Sequence, residues 1–158
     1  MGGVESVVGF TATEEEEERD GESWDTGALI LSWADCLESV ADPRDGYNVM
    51  FHEFAHQLDD EAGIADGAPR LDDKGLAADW EREFAREFEA LGKRADKRVP
   101  TLLDWYGAES PAEFFAVLTE TFFEKPADLK GRHPELYGLL ARFYRQDPAA
   151  LAAAANRR

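Results

Sequence analysis

His52 and His56 stand four residues apart, with Glu53 between them, in the stretch His52-Glu53-Phe54-Ala55-His56. On a helix, residues four apart lie one above the other on the same face, so both imidazoles can reach one ion. Glu53 lies roughly 100° around the helix from His52, outside the coordination shell but near a water on the metal. Zinc lowers the pKa of its bound water to about 7, and a nearby carboxylate can then take the proton. The spacing therefore predicts two metal ligands and a general base in five residues, the arrangement of a zinc hydrolase. Five-residue matches also arise by chance, and a histidine pair can simply pack. The setting favours the metal, because the motif falls within a predicted helix that follows an apolar strand.

A catalytic zinc needs a third protein ligand and one open position. His133 precedes Pro134 at a predicted helix start and reads as a capping or surface residue, and Cys36 reads as core filler. Glu113 is the better candidate. It lies in Pro111-Ala112-Glu113-Phe114-Phe115-Ala116-Val117, where an unpaired charge would be costly and a metal would remove the cost. Its other reading is a capping-box partner for Ser110. The Glu53-x-x-His56 spacing also suits di-iron carboxylate bundles, but those need a second Glu-x-x-His, which the sequence lacks.

The elements that must hold these residues follow from periodicity and punctuation. Ala28 to Trp33 reads as a short apolar strand, and Ala34 to Val40 as a short helix ended by the Asp42-Pro43-Arg44-Asp45-Gly46 turn. Tyr47 to Asp60 reads as the motif helix, with Gly63 after it. Lys74 to Lys93 carries Trp80, Phe84, Phe88 and Leu91 at helical spacing. Arg94 to Asp104 reads as a loop. A helix opens at Ser110-Pro111 and runs to about Phe123, where Lys125-Pro126 stops it. Pro134 to Tyr144 and the alanine-rich stretch after Pro148 read as further helices. The predicted fold class is α+β, mostly helical with a small sheet near the N-terminus. Residues 1–20, with the carboxylate run Glu14 to Glu18, read as a flexible acidic segment, to which Val7-Val8-Gly9-Phe10 could add a strand. Residues 21–158 read as the catalytic domain.

The chain has 158 residues, enough for one domain with its own core, and 44% of them are hydrophobic. Its net charge of −17 disfavours nucleic acid and anionic membrane surfaces as partners. No apolar run approaches the roughly 20 residues that span a bilayer. One cysteine excludes an intrachain disulfide, and no secretory signal is visible, which together predict a soluble cytoplasmic protein.

Gly46-Tyr47-Asn48-Val49-Met50-Phe51-His52-Glu53-Phe54-Ala55-His56-Gln57-Leu58-Asp59 resembles the signature of the Mlc titration factor A family of zinc peptidases. Leu29 to Trp33, Asp66 to Leu71, Pro111 to Val117 and Phe143 to Pro148 resemble that family too, in the expected order. The resemblance implies a zincin-like domain with one Zn2+ held by His52, His56 and Glu113, Glu53 as base, and a peptide substrate. It adds Tyr106 as an oxyanion donor, because members of the group, and the similar anthrax lethal factor catalytic domain, carry a tyrosine seven residues before the glutamate ligand. Aminopeptidase character is a further implication, as is the absence of part of the family's N-terminal region. The lethal factor type has a carboxylate four residues after the ligand, where this chain has Val117, so the acceptor that orients a ligand histidine must come from elsewhere. Glu120 and Asp59 are the candidates. A peptide could pair with an exposed edge at Leu31, Ser32 and Trp33. The family also includes a member that binds a transcriptional repressor of sugar-uptake genes, which makes sequestration of a regulator the alternative function.

Overall fold

The structure is a computed structural model, and it describes residues 29–157 together with the backbone of strands at 5–7, 10–12 and 21–23. It holds the strands β1 (Glu5–Val7), β2 (Phe10–Ala12), β3 (Gly21–Ser23) and β4 (Leu29–Leu31). The helices follow: α1 (Trp33–Ala41), α2 (Val49–Asp60), α3 (Lys74–Asp96), α4 (Pro111–Glu124), α5 (Pro126–Arg132), α6 (Pro134–Tyr144) and α7 (Pro148–Ala155). A 3-10 turn spans Trp105–Ala108. The molecule is thus mostly helical with a small N-terminal sheet, as its sequence predicts.

The sheet runs in the order β1-β2-β4-β3. β1 and β2 are antiparallel, β2 and β4 are parallel with Phe10 opposite Leu29, and β3 and β4 are antiparallel with Gly21 opposite Leu31. β4 therefore has a strand on each side. This corrects the expectation of a free edge at Leu31, Ser32 and Trp33. Leu31 is paired to β3, Ser32 is the N-cap of α1, and Trp33 is the first residue of that helix. The apolar run that marks the strand is its cause: Leu29 and Leu31 are buried, as an interior strand requires. The segment 1–20, read as a flexible arm, contributes β1 and β2; Val8, Gly9 and Glu14 to Glu18 lie outside the described residues.

α4 organises the core. Every residue from Phe114 to Phe122 is buried, and a helix apolar nearly all round belongs at the centre of its domain. Trp80 and Phe84 of α3 stack with ring centroids 4.2 Å apart, and Trp80 meets Phe115 and Phe143 edge-on at 5.6 Å. Helix starts follow their caps. Ser110 accepts a hydrogen bond from the Glu113 N–H at 3.2 Å, and Asp73 accepts from Gly75 and Leu76 at 2.8 and 3.0 Å. α2 begins two residues later than expected, because Tyr47 N–H bonds Asp45 Oδ1 in a turn and Asn48 takes the cap. α5 was not foreseen. Lys125-Pro126 does stop α4, but a proline lacking its N–H also suits the first turn of the next helix. α3 continues three residues past Lys93, ending at Asp96.

Candidate metal centre

α2 lies along α4, and its N-terminus is seated on a line of carboxylates. Glu113, Glu120 and Glu124 fall at i, i+7 and i+11 of α4, a single stripe at helical spacing. Each meets a different part of α2. Glu124 Oε1 accepts from the Asn48 side-chain amide at 2.9 Å, and its Oε2 accepts from the Gly46 N–H at 2.9 Å. Glu120 Oε2 accepts from the Asn48 backbone N–H at 2.6 Å, and its Oε1 lies 2.6 Å from His52 Nδ1. Glu113, in the first turn of α4, faces both histidines.

The three side chains converge tightly. His52 Nε2 lies 3.1 Å from His56 Nε2, 2.9 Å from Glu113 Oε2, and Glu113 Oε1 lies 3.3 Å from His56 Nε2. One ligand atom from each lies within 4.8 Å of the others. Glu120 keeps a proton on His52 Nδ1, which leaves the Nε2 lone pair free to point at the gap. Glu113 Oε2 is buried and has no hydrogen-bond partner, although it lies close to His52. A buried carboxylate oxygen left unpaired is costly, and a cation between it and the two Nε2 atoms removes the cost. The donor set of two imidazoles and one carboxylate fits a divalent ion of the catalytic type, which takes three protein ligands. Burial alone would lower the His52 pKa, but the Glu120 hydrogen bond and the charges of Glu120, Glu113 and Glu53 together raise it.

Glu53 is half-buried on α2, and its charge acts on both His52 and Tyr106. Tyr106 comes from the 3-10 turn, which is tied down by Asp104 accepting from the Tyr106 N–H at 2.9 Å. Its ring centroid is 6.1 Å from that of His52, it remains 46% exposed, and the Glu113 charge acts on its hydroxyl. Burial, then the charges of Glu113 and Glu109, hold its pKa above the usual phenol value. Val117, in the place of the lethal factor type's carboxylate, has a packing role. A Cβ on Gly107 would come within 3.3 Å of Val117 Cβ, so the pair brings the Tyr106 turn close against α4.

The structure thus brings His52, Glu53, His56, Tyr106, Glu113 and Glu120 together. Asp59 goes elsewhere: fully buried, it accepts from the Gly67 N–H at 2.8 Å through Oδ2. Burial, then the charges of Asp66 and Asp60, raise its pKa against the pull of the Gly67 and Asp66 N–H groups. His133 pairs with Glu87 at 3.0 Å where α5 meets α6, and Cys36 is half-buried on α1, so neither belongs to the cluster. Asn48 and Glu124 were missed by the sequence reading. Asn48 immediately before an apolar helical stretch is an N-cap signal, but nothing in sequence ties it to α4.

The fold and the His/His/Glu cluster define a metallopeptidase-like domain. Residues 5–145 match the family described as glucose-regulated metallo-peptidase M90, and the chain belongs to that family. It is 43% identical over 146 residues to an uncharacterized protein of Synechocystis sp., covering 92% of this chain and 53% of that protein. Over 125 residues it is 43% identical to Mlc titration factor A of Edwardsiella ictaluri, covering 77% of this chain and 47% of that protein. Over 135 residues it is 38% identical to Mlc titration factor A of Pectobacterium atrosepticum, covering 84% of this chain and 50% of that protein. The resemblance read from the motifs is borne out. The chain spans about half the length of the curated relatives it matches. The family implies a metal ion, and no helix among the described residues is long and apolar enough to cross a membrane.

Proposed function

We propose that the chain is a zinc peptidase domain that hydrolyses peptide bonds, with His52, His56 and Glu113 as ligands. The observation that carries this reading is the convergence of two Nε2 atoms and a buried, unpartnered Glu113 oxygen, with the Tyr106 ring 6.1 Å from that of His52. Zinc held there would supply Lewis acidity, which polarises a carbonyl and acidifies water. The protein's own residues do the rest. Glu53 takes the proton from the attacking water and returns it to the leaving amine. Tyr106 donates its hydroxyl proton in a hydrogen bond to the developing oxyanion. Glu120 keeps His52 in the tautomer that offers Nε2. An extended peptide would add to the backbone of β3, an outer strand that lies against α2, and not to the interior strand β4. Aminopeptidase specificity and a cytoplasmic site of action belong to the same proposal.

The test is Glu53→Gln. Zinc content should stay at one ion per chain while turnover of a peptide panel falls by about 10²–10⁴-fold, the usual worth of a general base. Equal turnover by wild type and variant would sink the reading. A second reading is favoured by the relatives named Mlc titration factor A: the chain binds a transcriptional repressor and sequesters it. On that reading Glu53→Gln leaves repressor binding unchanged, whatever happens to peptide turnover.

A further inference from the structure

Asp59 is placed where a carboxylate is least welcome. It is fully buried, and it lies in the last turn of α2, where the helix dipole opposes negative charge. Its Oδ1 has no hydrogen-bond partner. Each of these costs stability, and alanine would avoid all of them. What Asp59 does hold is a loop, through the Gly67 N–H at 2.8 Å, with the Asp66 N–H pulling the same way.

Gly67 is the meeting point of three helices. Its N–H goes to α2 through Asp59, and its carbonyl accepts from the Trp80 indole N–H of α3 at 3.1 Å. Its third contact is with α4. A Cβ at Gly67 would fall 2.3 Å from the Pro111 carbonyl oxygen and 2.7 Å from the carbonyl carbon, so the residue lies flush on the first turn of α4. Its φ of +79° is also one that residues with side chains rarely adopt. Pro111 is two residues before Glu113, and Asp59 is three residues after His56. A bridge between the end of the histidine helix and the start of the glutamate helix therefore runs Asp59, Gly67, Pro111.

We propose that Asp59, Gly67 and the Trp80 indole form a clasp that sets the distance between Glu113 and the histidine pair, making Asp59 and Gly67 positioning residues for the metal site. The proposal rests on the reading of His52, His56 and Glu113 as ligands. Glu120 and Glu124 tie the start of α2 to α4, but at its His56 end packing alone would leave the slack of the side chains. A directional hydrogen bond at each end and a backbone contact with no side chain between leave much less slack, and metal ligation is sensitive to such displacements.

The experiment measures zinc and cobalt affinity by chelator competition, and the visible absorption of the cobalt form, on folded protein. The proteins are wild type, Asp59→Ala, Asp59→Asn, Gly67→Ala and Trp80→Phe, with thermal melts of the metal-free forms alongside. Asp59→Ala and Gly67→Ala should weaken metal binding by about 10–100-fold, the range for residues that orient ligands, and change the cobalt spectrum. Asp59→Asn keeps an oxygen for the Gly67 N–H and should stay within about threefold of wild type by the same comparison. If Asp59→Ala or Gly67→Ala does not fold, Trp80→Phe decides: it removes the donor to the Gly67 carbonyl along with part of the ring that packs on Phe84, Phe115 and Phe143, so affinity is compared with its melt, and binding should still weaken severalfold. Variants that melt earlier yet bind metal as tightly as wild type would make the clasp merely structural and overturn the proposal. A wild type that binds neither metal would overturn the ligand reading, and the clasp with it.

Discussion

At the scale of single residues, the site works by pairing each reactive group with one that fixes its state. His52 offers Nε2 because Glu120 holds Nδ1 at 2.6 Å. Glu120→Ala should therefore weaken zinc binding by about 10–100-fold, with the fold intact by circular dichroism; chelator competition is the check, and unchanged affinity would mean that His52 needs no such partner. Tyr106 contributes to a different step. Its ring is half open to solvent and lies beside that of His52, so Tyr106→Phe removes a donor without removing a proposed ligand. Peptide turnover should fall by about 10²–10³-fold, the usual worth of one oxyanion donor. KM and zinc content should hardly move. A loss confined to KM would assign Tyr106 to substrate binding instead.

At the scale of elements, the site is a contact between two helices. α2 supplies histidines from one face, and α4 supplies Glu113, Glu120 and Glu124 from a single stripe. The start of α4 matters most, since Glu113 is in its first turn. Ser110 caps that turn through the Glu113 N–H itself, so the cap and the proposed ligand share a residue. Ser110→Ala should cost about 1 kcal/mol of stability by denaturant titration. Only the Ser110 half of the capping box is made, because the reciprocal bond would need the Glu113 carboxylate at the Ser110 N–H, and that carboxylate lies 2.9 Å from His52. The backbone N–H serves the cap and the side chain faces the histidines.

At the scale of the whole molecule, the domain buries acid among apolar helices. Glu124 is buried, and burial raises its pKa above the ordinary carboxylate value, with the neighbouring Asp45 adding to the rise and Asn48 and Gly46 opposing it. The sign follows from linkage. A carboxyl whose folded pKa is raised holds its proton more tightly folded than unfolded, so its stabilising contribution declines as pH climbs above the unfolded carboxylate pKa. The stability difference between wild type and Glu124→Gln should therefore shift against wild type as pH rises from about 4, the ordinary carboxylate pKa, into the interval above it. Denaturant titrations across that interval test it; a difference that grows in favour of wild type would contradict the assignment.

What the sequence determined by itself was local. The HExxH spacing needs only the helical period, and Ser110-Pro111 marks a helix start through cap chemistry, so both could be read from neighbouring residues. Lys125-Pro126 showed the limit of such reading, because a proline can end one helix and begin the next. The tertiary structure decided whatever depends on contacts across the chain. It enclosed β4 between two strands, so that Leu31, Ser32 and Trp33 offer no edge. It chose Glu120 over Asp59 as the partner of His52, and sent Asp59 to Gly67. No local rule separates two carboxylates that each lie one or two turns from a proposed ligand. The choice falls to the packing of α2 on α4, which alone sets the distance between groups 68 residues apart.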